Sequence, residues 1–247
     1  VHMFWFGGPL PPKQQLCLRS FVACGYEPQL WVYQDYDVPA GVQLWDAGEI
    51  AHESVAQAWL VSPIRHAKQT FANYFRYKLL HAHGGWWADT DILCLRQLPV
   101  ADYVFTAVHD IPTRPEILSS VGGPPVGGNL ANGLFRVPAD DPIMAELVSR
   151  IEPHALAANV PSLFGHWGTI LFTQAAHRHN RRTIVPLIGN GIQERDHVCT
   201  KPDFVPPPWA RVLHLYNYGG DQVIHPQSFY AKFERGLTSQ TCCTASS

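Results

Sequence analysis

The sequence contains few charged residues, and neither sign of charge predominates. Asp, Glu, Lys and Arg make up 15% of its 247 residues, below the roughly 25% of an average domain. The 18 basic and 20 acidic side chains leave a formal net charge of −2. Such a balance supplies no broad basic surface for a phosphate backbone, so nucleic acid is not an expected partner.

Long apolar runs and several well-known motifs are also missing. No window approaches 18 consecutive apolar residues, and the first residues show no basic segment followed by an apolar one, so we expect neither a membrane span nor a signal peptide. The six cysteines form no Cys-x-x-Cys pair, which argues against a zinc knuckle. The G-x-S-x-G, P-loop and H-E-x-x-H motifs do not occur, and the enzyme classes that depend on them are disfavoured.

Short apolar strands alternate with helical patterns, and this predicts an α/β fold. Residues 2–6 and 29–34 are apolar runs bounded by turn residues, typical of buried strands. Apolar residues at three- and four-residue spacing predict a helix over 63–82, which Gly84 and Gly85 would end. The segment 86–93 follows at once as an inner strand. Further strands are predicted at 43–45, 103–108, 134–137 and 211–216, and further helices at 142–150 and 166–177.

The domain organisation is predicted to be simple. The chain has no internal repeat and no break in composition, so residues 1–235 are predicted to form one domain. Residues 236–247 are predicted to be a polar, flexible tail.

Two Asp-x-Asp pairs occur in the sequence. Two carboxylates placed two residues apart at a strand end can share one divalent cation and leave positions for phosphate oxygens. Asp35 and Asp37 stand in a predicted loop, where turn formation explains them. Asp89 and Asp91 instead follow a long helix, a Gly-Gly stop and two tryptophans, and this pair is the better metal candidate.

The surroundings of the second pair resemble a known family. Residues 76–91 are similar to the pattern R-x-x-x-L-x-x-x-G-G-x-[YW]-x-D-x-D of the glycosyltransferase sugar-binding DXD region, and residues 1–7 resemble the family's first strand, I-H-x-x-W-x-G. This is glycosyltransferase family 32 and its relatives, among them yeast-type α-mannosyltransferases, the lactosylceramide α-galactosyltransferase and the glucosylating domains of clostridial toxins. The resemblance covers roughly residues 1–100.

The resemblance implies a fold and an activity. The fold is GT-A, a mixed central sheet flanked by helices. The activity is metal-dependent transfer of a sugar from a nucleotide-sugar, with a UDP-sugar preferred to GDP-mannose, to a glycan or other hydroxyl acceptor, with retention of configuration. Because no transmembrane anchor is evident and the length is compact, we expect a cytoplasmic enzyme of bacterial or viral origin, with a Golgi lumenal domain as the alternative.

The resemblance also implies roles for individual residues at the donor site. Asp89 and Asp91 would hold Mn²⁺ or Mg²⁺ and so contribute to catalysis. Trp5 would stack on the donor base, and Arg76 would reach the donor sugar or phosphate. His214, in the last predicted strand, is a third metal-ligand candidate, since a neutral imidazole is an acceptable Mn²⁺ ligand.

Further donor-site candidates have a less direct basis. Family members commonly carry Asp where this chain has Asn73, and an amide loses the charge-assisted bond to the donor sugar. Trp86 and Trp87 alternate across a strand, so one is expected in the core and the other under the sugar, with Trp87 assigned to donor binding. Asn129, with Asn132 behind it, lies in a segment similar to one that borders the reaction centre.

Two other functions stay open at this point. A D-x-D at a strand end also opens phosphatases of the haloacid dehalogenase type, with the first Asp as nucleophile, but the later lysine and acidic pair are not evident. The chain could also be a binding module that retains the fold without turnover. Asn73 and the absence of a Ser-Trp pair after His214 favour that alternative.

Overall fold

Strands and helices alternate along the chain in a computed structural model that describes residues 1–62, 67–108, 129–157, 166–181, 185, 187–190, 196–216 and 223–238. The strands are β1 (His2–Phe4), β2 (Gln29–Val32), β3 (Gln43–Asp46), β4 (Gly85–Ala88), β5 (Ile92–Cys94), β6 (Val104–Val108), β7 (Asn129–Val137) and β8 (Val212–His214). The α-helices are α1 (Pro12–Ala23), α2 (Glu53–Leu60), α3 (Ala67–His83), α4 (Pro142–Ala157), α5 (Leu171–Arg178), α6 (His197–Thr200) and α7 (Phe229–Thr238). A 3₁₀ turn covers Ala47–Glu49 and a π-helical turn covers His166–Ile170.

The main sheet is mixed, with strand order β3-β2-β1-β4-β7-β6. Strands β3, β2, β1 and β4 run parallel, whereas β7 is antiparallel to both of its neighbours. Strands β5 and β8 form a separate antiparallel pair. Because the carboxyl ends of parallel strands meet at one edge, the residues after β1, β2 and β4 lie along the same side of the sheet, where α/β proteins bind ligands. The predicted α/β class, a mixed central sheet flanked by helices, is confirmed.

Apolar side chains from the sheet enter two layers, one on each face. Trp87 and Phe135 belong to a layer completed by helices α2 to α5, and Trp86 and Leu134 belong to a second layer that α1 covers. Trp87 is 1% exposed and Trp86 is 6% exposed. Both tryptophans are therefore core residues, whereas the sequence predicted that one of them lies under the sugar.

A glycine turn joins the longest helix to the central strand. Gly84 follows α3 with φ +61°, and a Cβ at this position would lie 2.3 Å from the backbone nitrogen of Ala139. Gly85 also has positive φ, at +90°, and begins β4. The predicted left-handed stop is confirmed, and it turns the chain directly from α3 into the centre of the sheet.

An irregularity in β7 shapes the edge of the sheet next to β4. Phe105 of β6 pairs with Phe135 of β7, but the next residue, Thr106, pairs with Ala131. Residues 132–134 therefore form a bulge in β7 between these two pairs. The bulged segment is held from both sides, because the Thr106 hydroxyl donates to the carbonyl of Leu134 at 2.8 Å and the N–H of Asp89 donates to the carbonyl of Gly133 at 2.8 Å. Bulges of this kind re-aim side chains at the end of a strand.

The structure differs from the sequence prediction in several elements. The predicted strand 86–93 is two strands in two sheets, β4 and β5, with the Asp-x-Asp pair between them. The predicted strand 134–137 begins earlier, so that Asn129 and Asn132 lie within β7. Helix α1 was not predicted, and helix α7 reaches Thr238, where a polar tail was predicted from residue 236. The start of the long helix at Pro63 lies outside the described residues, as does the segment 111–128, which its proline and glycine content predicts to be a loop.

Candidate metal and donor site

The Asp-x-Asp pair lies where the chain leaves the main sheet. Asp89 directly follows β4 and Asp91 directly precedes β5, with a turn closed by the N–H of Ile92 and the carbonyl of Asp89 at 3.0 Å. Strand β8 pairs with β5 so that His214 stands opposite Ile92. This register brings a histidine from the last strand beside a carboxylate more than 100 positions earlier in the chain.

Asp89 is held by two donors from the core. Arg76 is 5% exposed, and its Nη2 lies 2.9 Å from Oδ1 of Asp89. The indole N–H of Trp87 donates to the same oxygen at 2.7 Å. The guanidinium also donates to the carbonyl of Asn132 and stands 4.9 Å from the Trp87 ring centroid, so its direction is set on three sides.

Burial raises the pKa of the Asp89 carboxyl above its ordinary value. Arg76 opposes the shift, the Asp91 carboxylate adds to it, and His214 opposes it. Two carboxylates held this close favour a bound cation, because a cation relieves the repulsion that otherwise favours protonation.

Asp91 and His214 form the second half of the site. Nε2 of His214 lies 3.2 Å from Oδ1 of Asp91, and the two side chains are 12% and 10% exposed. The His214 ring stacks on Tyr216 at a centroid distance of 3.8 Å, with 16° between the planes. Tyr216 has φ +51°, an uncommon conformation for a residue other than glycine, at the turn that follows β8.

Asp89, Asp91 and His214 could together hold a metal ion. One ligand atom from each lies within 4.8 Å of the other two. Two carboxylates and an imidazole are a donor set suited to Mn²⁺, since Mg²⁺ prefers oxygen ligands alone. A Cβ on Gly133 would lie 3.0 Å from both Oδ2 of Asp89 and Cε1 of His214, so the bulge brings a residue without a side chain up to this group. The residues present therefore fit a divalent cation.

Two amides continue the site on the side of α3. Nδ2 of Asn132 donates to Oδ1 of Asn73 at 2.8 Å. Gly168, in the π-helical turn, packs against both, because a Cβ there would lie 2.9 Å from Asn132 and 3.2 Å from Asn73. The residue that differs from the family pattern thus pairs with a second amide.

The edge beyond β1 and β2 contains two open cavities. One of about 160 Å³ is lined in part by Phe6, Gly7, Tyr33 and Gln57, and a second of about 340 Å³ by Gly8 and residues 34–37. Both adjoin the strand next to β4 in the sheet order.

Trp5 lies at the same end of β1. Its side chain is partly buried, and its indole N–H donates to the carbonyl of Gly8 at 3.0 Å. The hydroxyl of Tyr36 donates to the carbonyl of Gly7 at 2.9 Å, so the Gly-Gly turn is held from two sides.

The sequence-predicted residues fall into two groups. Contacts connect Asn73, Arg76, Trp87, Asp89, Asp91 and His214 into one cluster, whereas Trp5 stands at the end of the neighbouring strand. Asn129 is the first residue of β7, and its side chain lies outside the described residues. Sequence reasoning missed Asn190, whose amide bonds to the backbone of His214, and Tyr216. Neither residue is marked by a local signal, because its role depends on a strand pairing.

A family comparison agrees with this geometry. Residues 32–110, about a third of the chain, match the family model described as glycosyltransferase sugar-binding region containing DXD motif. The predicted resemblance is confirmed. The match covers β3 to β6 and contains the Asp-x-Asp pair and Arg76. No curated protein matches the chain.

Two solved structures show a limited similarity to this chain. The PaToxG glycosyltransferase is 15% identical, with a TM-score of 0.46 over 72% of this chain and 67% of its own. The galactosyltransferase LgtC, in complex with donor and acceptor sugar analogues, is 14% identical, with a TM-score of 0.46 over 100% of this chain and 98% of its own.

Among the described helices, none has the length and hydrophobicity needed to cross a membrane.

Proposed function

We propose that this protein is a metal-dependent glycosyltransferase that moves a hexosyl group from a UDP-sugar to a hydroxyl group of a glycan or similar acceptor. The observation that carries the proposal is the convergence of Asp89, Asp91 and His214 at the ligand-binding edge of the sheet, within 4.8 Å of one another. Two of these residues belong to the segment that matches the DXD region. The donor, the acceptor and retention of configuration are parts of this proposal that follow from the family resemblance.

Each group of residues in the site has its own proposed role. Asp89, Asp91 and His214 would hold Mn²⁺, which when bound supplies Lewis-acid neutralisation of the donor's diphosphate. Arg76 favours the ionised form of Asp89, against the effect of burial on its pKa, and orients the carboxylate through the contact at 2.9 Å. Trp5 and the cavities after β1 and β2 would take the nucleoside. An aromatic face suits a base, and the hydroxyl, amide and carboxylate groups among the residues lining the cavities suit a ribose.

The amide side chains of Asn73 and Asn132 are candidates for binding the donor sugar. Asn73 stands where a carboxylate is common in the family. Its Oδ1 accepts from the amide of Asn132, and the backbone carbonyl of Asn132 accepts from Arg76. Amides donate as well as accept, so this corner of the site can bond a sugar hydroxyl in either sense but without a full charge. We therefore expect the choice of donor sugar to depend on the positions of its hydroxyl groups and less on a charge-assisted hydrogen bond.

The phosphatase alternative is less well supported by the same contacts. It needs Asp89 as a free nucleophile, yet Oδ1 of Asp89 receives both the Trp87 indole and the Arg76 guanidinium. Hydrogen bonds of this kind reduce the nucleophilicity of a carboxylate.

The proposal is tested with thermal unfolding and donor hydrolysis, using UDP-, GDP- and dTDP-sugars, each with Mn²⁺, Mg²⁺ or EDTA. Specific binding raises the free energy of unfolding by about 2.7 kcal/mol when the ligand is at 100 times its Kd. We expect a rise in Tm and slow hydrolysis with a UDP-sugar and Mn²⁺, and neither with EDTA.

Variants assign the effect to the site. Asp91→Asn keeps the size of the side chain and should abolish hydrolysis and the Mn²⁺-dependent shift while the protein stays folded. Asp102→Asn makes the same change at an exposed position and should leave both the hydrolysis and the shift unchanged. Full activity of Asp91→Asn would refute the metal role, and binding without hydrolysis in the wild type would favour the binding-module alternative.

A further inference from the structure

A buried amide outside the matched family segment holds His214. Asn190 is 2% exposed. Its Oδ1 accepts from the backbone N–H of His214 at 2.9 Å, and its Nδ2 donates to the backbone carbonyl of the same residue at 2.9 Å. Two bonds from one side chain to both backbone groups of a residue fix where that residue sits.

The segment before Asn190 runs closely beside β8. Ile188 bridges Val212 in parallel, and the N–H of Gly189 donates to the carbonyl of Val212 at 2.9 Å. A Cβ on Gly189 would lie 2.5 Å from Cβ of Ala210. The glycine therefore allows the approach at which the Asn190 amide reaches His214.

The opposite side of His214 faces the carboxylates. Its Nε2 lies 3.2 Å from Asp91, and its Cε1 lies against the position that a Cβ on Gly133 would take. Strand β8 has only three residues and pairs with the equally short β5. The pairing continues past His214 through the N–H of Leu215, which donates to the carbonyl of Asp91 at 2.9 Å. Both backbone groups of His214 itself bond instead to the Asn190 amide, which restrains this residue from the side opposite β5.

We infer that Asn190 is a positioning residue of the candidate metal centre, holding the His214 imidazole where it and Asp91 can share one divalent cation. The inference rests on the proposed function. It adds a residue that touches neither the ion nor the donor and acts through the backbone of a ligand. Substitution of a residue that hydrogen-bonds to a metal ligand typically weakens metal affinity by about 10- to 100-fold.

The test measures the Kd of Mn²⁺ alone for the full chain, by isothermal titration and by the electron paramagnetic resonance signal of free Mn²⁺. Asn190→Ala should raise this Kd by about 10- to 100-fold. Asp141→Ala is the matched control. Asp141 is 1% exposed and accepts two backbone N–H bonds, from Ile143 and Met144, at the opposite edge of the sheet. This control should lower Tm and leave the Kd unchanged.

A second pair of variants moves Asn190 without removing it. Gly189→Ala should push the segment away from Ala210 and raise the Kd in the same direction as Asn190→Ala. Adding Ala210→Gly removes the atom at 2.5 Å and should restore the affinity of Gly189→Ala toward the wild-type value. This pair keeps the inference testable if Asn190→Ala does not fold.

The outcomes separate this inference from the function on which it rests. If the wild type binds Mn²⁺ and His214→Ala weakens binding, but Asn190→Ala and Gly189→Ala bind as the wild type does, Asn190 has no positioning role and the proposed metal centre stands. If the wild type binds no Mn²⁺, the proposed metal centre fails and the inference fails with it. Weakened binding in Asn190→Ala, rescue of Gly189→Ala by Ala210→Gly and no change in Asp141→Ala together support the inference.

Discussion

The ion pair between Arg76 and Asp89 should contribute strongly to stability as well as to the site. Arg76→Met keeps much of the aliphatic stem and removes the charge. The side chains of Arg76 and Asp89 are 6% and 27% exposed, so the variant leaves a largely desolvated carboxylate without its cation. Breaking a buried pair from one side costs about 3–5 kcal/mol. The partial exposure of Asp89 places the expected loss near the lower end, at about 3 kcal/mol.

A double-mutant cycle measures the pairing itself. Arg76→Met, Asp89→Asn and the double variant are unfolded with urea in EDTA, and the midpoints and slopes are compared. Because the double variant leaves neither charge unpaired, it should be more stable than the sum of the single losses predicts, by at least about 1 kcal/mol. The Trp87 indole still donates to the side-chain oxygen at position 89 in Asp89→Asn, which limits the loss in that single variant.

The refuting result is additivity. If Arg76→Met costs less than about 1 kcal/mol and the two losses add, then the contact at 2.9 Å does not stabilise the fold, and Arg76 serves the site alone. A change in slope without a change in midpoint would mean that the variant altered the denatured or native ensemble rather than the pair.

Two further predictions concern the scaffold. Burial alone would raise the pKa of Glu146, but the hydrogen bond and charge of Arg178, with His179 and Arg150, lower it below its ordinary value. A lowered pKa stabilises the fold at pH values above the unfolded pKa of about 4.3, so Glu146→Gln should lower the free energy of unfolding by about 1 kcal/mol at pH 7. In urea unfolding, the difference from wild type should shrink as the pH falls below about 4.3 and vanish below the lowered folded-state pKa; a constant difference would contradict this. Gly84→Ala should lower the free energy of unfolding by about 2 kcal/mol or more, because of its φ of +61° and the contact at 2.3 Å, and an unchanged Tm would refute that steric argument.

Much of the local structure near the site follows from short-range patterns. The apolar spacing of α3, the Gly84 stop and the apolar strand after it depend on neighbours within a few residues, and they predicted the path of the chain up to Asp89. Helix α1 escaped prediction because it buries polar side chains such as Gln14 and Ser20, which obscure an apolar stripe. The split of residues 86–93 into β4 and β5 was missed because both halves are buried and look alike in sequence.

The sequence by itself determined the class of fold, because strand and helix patterns alternate along the whole chain. It also determined the Asp-x-Asp pair and Arg76, because both belong to one short motif at residues 76–91. Only the tertiary structure decided what completes the site. The β7 bulge brings Gly133 to Asp89, the β5–β8 register brings His214 to Asp91, and the Gly189 approach brings Asn190 to His214. These contacts join residues far apart in the chain, and backbone pairing and close packing, rather than any local preference, set their distances.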